Sequence, residues 1–180
     1  MSTLFVNNLN TASGTTITVP TGKKLVVTDG GGITAPGMVV QVVEKVSTAS
    51  NAFTANSYAD HDSITITPKF STSKMYLSFV GRVKYGNDLG NGDRVRGGFR
   101  WSRFVGGSEV ATHNHSTEQF QSKGVSNDGA LEYSFTGTYT VFDTPATSST
   151  ITYKLQVINS QAQNNFNVSH GQIVIMEIAQ

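Results

Sequence analysis

The chain has 180 residues, 37% of them apolar and only 14% charged, with a net charge of +1 and no cysteine. That length accommodates one medium domain plus an appendage, while near-neutrality removes the long-range pull of a nucleic-acid or anionic-membrane partner. Without Cys there are no disulfides, thiolate metal sites or thiol catalysis, and no leader-like or membrane-spanning apolar run is present.

Residues 1–37 read as a β-stem. Short β-prone runs at 15–19 (TTITV) and 23–27 (KKLVV) flank Pro20-Thr21-Gly22, a tight turn in which Pro sets φ and Gly is free to take a positive one. Such runs are too short to make a core alone. They must borrow apolar partners, and identical copies are the simplest source, so Leu4, Val6, Leu9, Ile17, Val19, Leu25 and Val27 are the candidate contacts between chains.

Ala35-Pro36-Gly37 ends this segment, and residues 38–180 form the second domain. Residues 38–46 (MVVQVVEKV) form a Val-dense strand, buried on both sides or lying at a subunit contact. Residues 47–61 are polar and breaker-rich and read as a loop, and 62–67 (DSITIT) alternate up to Pro68. The clearest long strand is 73–85, with Met75, Leu77, Phe79, Val83 and Tyr85 on one face. Gly81 sits in its middle, where a bulge or close backbone approach is expected. Residues 86–92 (GNDLGNG) are a turn, and 94–104 (RVRGGFRWSRF) return as the second strand of a hairpin. Residues 106–129 read as loop and 131–142 as another alternating strand, followed by strands at 151–159, 165–168 and 172–178. The last of these is apolar on both faces and belongs in the middle of a sheet. No amphipathic helix is expected. About eight strands after residue 37 is the number of an antiparallel β-sandwich of jelly-roll type, so the chain is all-β.

Little in the chain carries chemistry. His113, His115 and Glu118 form the one cluster resembling a metal site; in a strand the two imidazoles would share a face, but the surrounding Asn, Ser and Thr suggest a loop and no third ligand is placed by spacing. The structural reading outweighs the metal, and no cofactor is expected. Asp88 and Asp93 around LGNG lack the ligand spacing of a calcium loop. The sequons at Asn114 and Asn167 mean little without a secretory signal. No nucleophile elbow, phosphate loop or zinc-protease motif occurs, so an enzyme is not expected.

Cations gather on the hairpin: Arg82, Lys84, Arg94, Arg96, Arg100 and Arg103. Arg94, Arg96 and Arg100 share a face opposite Trp101. They form a candidate receptor surface for an acidic glycan or phosphate, with Trp101, Tyr76 or Tyr85 as stacking platforms. Ion pairs to carboxylates of a neighbouring subunit, or a solvated face, are the plainer reading.

Several stretches carry a likeness to a known group: S-T-L-x-V-N-x-L at 2–9, SGTTITVPTGKKL at 13–25, APGMVVQVV at 35–43, ITPKFSTSKMYLSFVGRV at 66–83, FDTPATSSTITYKLQV at 142–157 and IVIMEIAQ at 173–180. The chain resembles small virion structural proteins of tailed bacteriophages, especially those of cyanobacterial and related hosts. The resemblance covers nearly the whole chain, but its motifs belong to the scaffold and mark no active site. It implies a homotrimer at the virion surface, with a stem and a jelly-roll-like head, attached to a tail or major capsid protein. A tail-fibre-like role in attachment, to a host-surface glycan for instance, is the leading expectation. A capsid decoration (cement) protein and a carbohydrate-binding module are the alternatives. Neither nucleic acid nor membrane insertion is implied, and synthesis in the host cytoplasm needs no signal peptide.

Overall fold

The computed structural model describes residues 21–22, 34–85, 94–114, 119–123, 133–160 and 166–180. The chain divides into two compact units, Met1–Ile33 and Thr34–Gln180. In the first, Gly22 takes a φ of 78° within a turn, as the Pro20-Thr21-Gly22 pattern requires. The seven stem-contact residues from Leu4 to Val27 lie outside the described residues.

The second unit is all-β, with no helix among the described residues. Its strands are β1 (Val39–Phe53), β2 (Ala59–Ile66), β3 (Lys74–Tyr85), β4 (Arg94–Val105), β5 (Ser108–Asn114), β6 (Phe120–Lys123), β7 (Tyr133–Asp143), β8 (Ile151–Asn159) and β9 (Phe166–Ile178). They form two antiparallel sheets. Sheet I runs β1-β9-β3-β7, and sheet II runs β2-β8-β4-β5 with β6 also paired to β4. The pairs β1·β9, β2·β8, β3·β7 and β4·β5/β6 nest inside one another along the chain. That nesting is a long hairpin rolled into a sandwich, the jelly-roll arrangement.

Strand alternation builds the core. Met75, Leu77, Phe79 and Val83 of β3 and Ile173 and Ile175 of β9 point inward from sheet I. Phe99 and Trp101 of β4 and Tyr153, Leu155 and Val157 of β8 meet them from sheet II, all without solvent exposure. Full burial of one such side chain is worth about 1.5–3 kcal/mol, so this double layer dominates stability.

Gly81 fulfils its sequence expectation. It pairs with Gly171 on β9 and Gly137 on β7, and the β3–β9 register shifts at Gly81/Arg82. A Cβ on Gly81 would stand 2.3 Å from Phe79 Cζ and 2.6 Å from the His170 carbonyl oxygen. The Phe79 ring therefore lies over a floor of glycines.

Five sequence-based assignments change. First, β3 and β4 are not a hairpin; they belong to different sheets. β3 points Met75, Leu77, Phe79 and Val83 inward and β4 points Phe99 and Trp101 inward, and stacking face to face buries both sets, with the Phe79 and Phe99 rings 5.4 Å apart edge to face. Second, β1 continues to Phe53 through the polar stretch read as loop, because β9 supplies the ladder, Asn51 opposite Val168 and Phe53 opposite Phe166. Third, β1 is an edge strand and is not buried on both sides: Val39, Val42 and Val46 are 50%, 53% and 73% exposed. Fourth, 106–129 contains β5 and β6. Gly106 and Gly107, at φ 59° and 84°, make the two-residue turn that joins β4 to β5. Fifth, the last two predicted strands are one, β9, which His170 (φ 49°) and Gly171 carry through a bulge. Its central place between β1 and β3 agrees with the sequence.

Candidate functional site

Two buried carboxylates tie the sandwich together. Asp143 ends β7 at an inward position and is 5% exposed. Arg103 Nη1 donates to both of its oxygens at 2.8 Å, Tyr153 Oη donates at 2.7 Å, and His113 Nε2 stands 3.2 Å away. Burial by itself would raise the Asp143 pKa, but His113, Tyr153 and Arg103 outweigh it and hold the group at about 2. The same burial, with the Asp143 charge beside it, pushes the Tyr153 phenol above its ordinary range. On the other side of Met75, which pairs with both carboxylate residues, Glu177 of β9 is fully buried. It accepts from the Lys69 and Phe70 amides, from Ser73 Oγ at 2.6 Å and from Gln41 Nε2. These donors overcome the effect of burial and keep its pKa below the usual carboxylate value. Both groups are saturated with partners, which suits a clip between elements and not a proton-transfer group.

The candidate receptor residues separate. Trp101 shares the inward face of Phe99 and is wholly buried, so it cannot be a surface stacking platform. Strand alternation sets it there, opposite Arg100. Arg100 lies on the outer face of sheet II, where its Nε donates to Gln156 Oε1 at 2.7 Å and its guanidinium stands 4.1 Å from the Tyr58 ring centre. Ser102 Oγ donates to the same Gln156 oxygen, and Gln156 Nε2 donates to Asp60 Oδ1 at 2.6 Å. Lys154 Nζ reaches Asp60 Oδ2 at 2.7 Å and lies 4.5 Å over Phe104. Burial opposes ionisation of Asp60, but Lys154 and Gln156 prevail and lower its pKa. The face thus combines cations, an amide, a carboxylate and ring edges, the groups that recognise polyhydroxylated or acidic ligands. Arg96 belongs to the same face and is half-buried. The side chains of Arg94 and Tyr85 lie outside the described residues. Of the remaining hairpin cations, Arg103 points inward to Asp143 and Arg82 Nε donates to Ser134 Oγ at 2.7 Å.

For a metal, His113 meets one carboxylate, and His115 lies outside the described residues. No group of three or more His, Cys, Asp or Glu able to hold an ion occurs among the described residues. Nor is any helix there long and apolar enough to cross a membrane.

The outer face of sheet I contrasts with that of sheet II. Val42, Met176, Tyr76 and Phe142 stand opposite one another across all four strands. Tyr76 and Phe142 pack at 5.2 Å, and Phe142 is 54% exposed. Val39, Val46 and Val80 extend this surface, which also carries Glu44 between Val42 and Val46, Lys74 at 4.5 Å over the Phe142 ring, and Arg82 beyond Val80.

Sequence reading missed Asp143, Glu177, Asp60 and Gln156. Glu177 was legible in one respect: within IVIMEI it shares the parity of Ile173 and Ile175, a carboxylate on the buried face of an apolar strand. Asp60 and Gln156 gave no signal, since only the β2–β8 pairing brings them together.

No protein-family model matches the chain, and no curated protein matches it. Among solved structures it is similar to the VP2 subviral particle protein of infectious bursal disease virus, at 12% identity and a TM-score of 0.43, over 76% of this chain and 32% of that one. A chain of T=1 particles derived from infectious bursal virus gives 13% identity and a TM-score of 0.36, over 87% of this chain and 41% of that one. The xylan-binding domain CBM22-1 of Paenibacillus barcinonensis Xyn10C gives 12% and 0.29, over 82% of this chain and 99% of that one. The chain thus spans about a third of the length of the first of these capsid proteins.

Proposed function

We propose that this chain is a non-enzymatic structural protein of a virus particle, a homotrimer whose N-terminal segment anchors it and whose sandwich serves as a tail-fibre-like attachment head. The observation that carries this reading is the division of the sandwich surface. Its buried charges are spent on clips between elements, one outer face is a polar and aromatic network, and the other carries most of the exposed large apolar side chains. A body with one face suited to packing and one suited to polar ligands is what an attachment protein on a larger particle requires. The phage-like motifs of the sequence support the same reading, and trimer symmetry comes from that resemblance.

In this reading the sheet II face around Arg100, Tyr58 and Asp60 meets the host surface, with an acidic or polyhydroxylated glycan as its ligand. Native mass spectrometry of the full chain and immunogold labelling of intact particles test the proposal together. A trimer at the tail is the expected result. A monomer, or a protein absent from particles, overturns it, and label spread evenly over the head replaces attachment by capsid decoration.

A further inference from the structure

We infer that the outer face of sheet I is the surface through which the heads of neighbouring copies of this chain pack against one another. The inference rests on the homo-oligomer of the proposed function and names the face the head contributes to it.

Of the eight large apolar side chains left exposed among the described residues, five, Val39, Val42, Val46, Val80 and Phe142, belong to this one face, and the others are Met38, Phe70 and Val110. An aromatic side chain carries about 150–250 Å², so Phe142 at 54% exposure offers on the order of 100 Å². With the valines and the half-buried Tyr76, Val174 and Met176, the patch falls in the range of roughly 300–600 Å² at which a monomer's largest patch is often functional. It is also close to the apolar share of a standard interface of about 800 Å² per partner.

What selects a second copy as the occupant is where the chain enters. Gly37 N donates to the Ala179 carbonyl at 2.8 Å and Ala179 N donates to the Met38 carbonyl at 2.9 Å, which pins the entry of the head beside Val39 and Ile178. Copies joined through their N-terminal segments therefore start their heads at the apolar end of this face. The edge of β1 itself is a poor alternative, because the inward-pointing Lys45, paired with Asp62, and two register shifts blunt it against strand addition.

The absence of native cysteine makes the test direct. Ser78→Cys places a thiol at the middle of this face, and Thr65→Cys places one on the outer face of sheet II. In the full chain, a short bismaleimide should cross-link Ser78→Cys between copies at least tenfold faster than Thr65→Cys. Adding Val42→Glu, a change at an exposed position, should abolish that advantage while circular dichroism shows the sandwich intact. Equal rates for the two thiols in a protein that native mass spectrometry finds oligomeric overturn the inference and leave the oligomer standing. Cross-linking of Ser78→Cys to a different virion protein in particles, with none between copies, overturns it in favour of an unlike partner. A monomeric wild-type protein removes both readings.

Discussion

Arg103 of β4 and Asp143 of β7 meet between the two sheets, with Nη1 at 2.8 Å from both carboxylate oxygens. β4 and β7 belong to different sheets, so this pair, with Tyr153 on the same carboxylate, fastens one layer to the other.

Asp143→Asn should therefore destabilise the protein by about 3–5 kcal/mol, because it leaves the Arg103 charge largely buried without its partner. Urea denaturation of the wild type and variant measures it. The pH dependence has a defined sign. The folded Asp143 pKa of about 2 lies below the ordinary 3.8, so its contribution is present above pH 3.8 and is lost as pH falls towards 2. The variant should show a flatter acid limb in that window, and an unchanged limb would exclude Asp143 as its source.

Gly81→Ala tests the glycine floor. Its methyl would meet the Phe79 ring and the His170 carbonyl, and the second of these is backbone that cannot rotate away. Overpacking of this kind costs typically 1–3 kcal/mol, and the backbone clash places Gly81→Ala at about 3 or above. Gly106→Ala, with open space but a positive φ, should cost about 1 kcal/mol from backbone strain alone. Thermal melts of the two variants check the order, and reversal of it would mean that β3 and β9 can separate at Gly81 without loss.

Glu177→Gln should release the 69–73 segment while sparing the core. Hydrogen bonds to a charged group are worth about 1.5–3 kcal/mol, and the amide loses the charge and turns a donor towards donors. The expected loss is about 2–3 kcal/mol. Hydrogen exchange at the Lys69 and Phe70 amides should rise well before that of β3, and uniform exchange across the fold would refute the local clip.

These clips also show how far the sequence was legible. Alternation in β3 put Met75, Leu77, Phe79 and Val83 on one face, and that face is the buried one, since the period of two is a local property. Which strands pair is a long-range outcome, and local turn signals misassigned β4 to β3 when its ladder partner β8 lies some fifty residues further on. The polar stretch 47–53 became strand because β9 supplied hydrogen bonds to it. Trp101 was assigned to the right side of β4, opposite Arg100, but which side faces the core depends on the sheet that covers it. The Arg100–Gln156–Asp60 network joins three strands and could be seen only after folding.

His61 supplies the acid sensitivity nearest neutrality. It is 5% exposed, packed edge-on against Phe53 at 6.2 Å and Phe79 at 5.7 Å, and its Nδ1 lies 3.0 Å from Asn51 Oδ1. Its Nε2 has no hydrogen-bond partner among the described residues. Burial lowers its pKa from 6.5, with Asp62 opposing and Lys45 assisting. The unfolded chain therefore takes up the proton first. Stability should be full above pH 6.5 and decline as pH falls below it, levelling once the folded-state pKa is passed. A proton on Nε2 would leave a charged donor without a partner against the aromatic rings, so the folded state resists it. His61→Gln, which keeps an amide within reach of Asn51 but cannot titrate, should lower stability at pH 7.5 while making it nearly constant between pH 7 and pH 5. Denaturation midpoints at half-unit steps of pH measure this, and a slope that persists in His61→Gln would move its origin to another group.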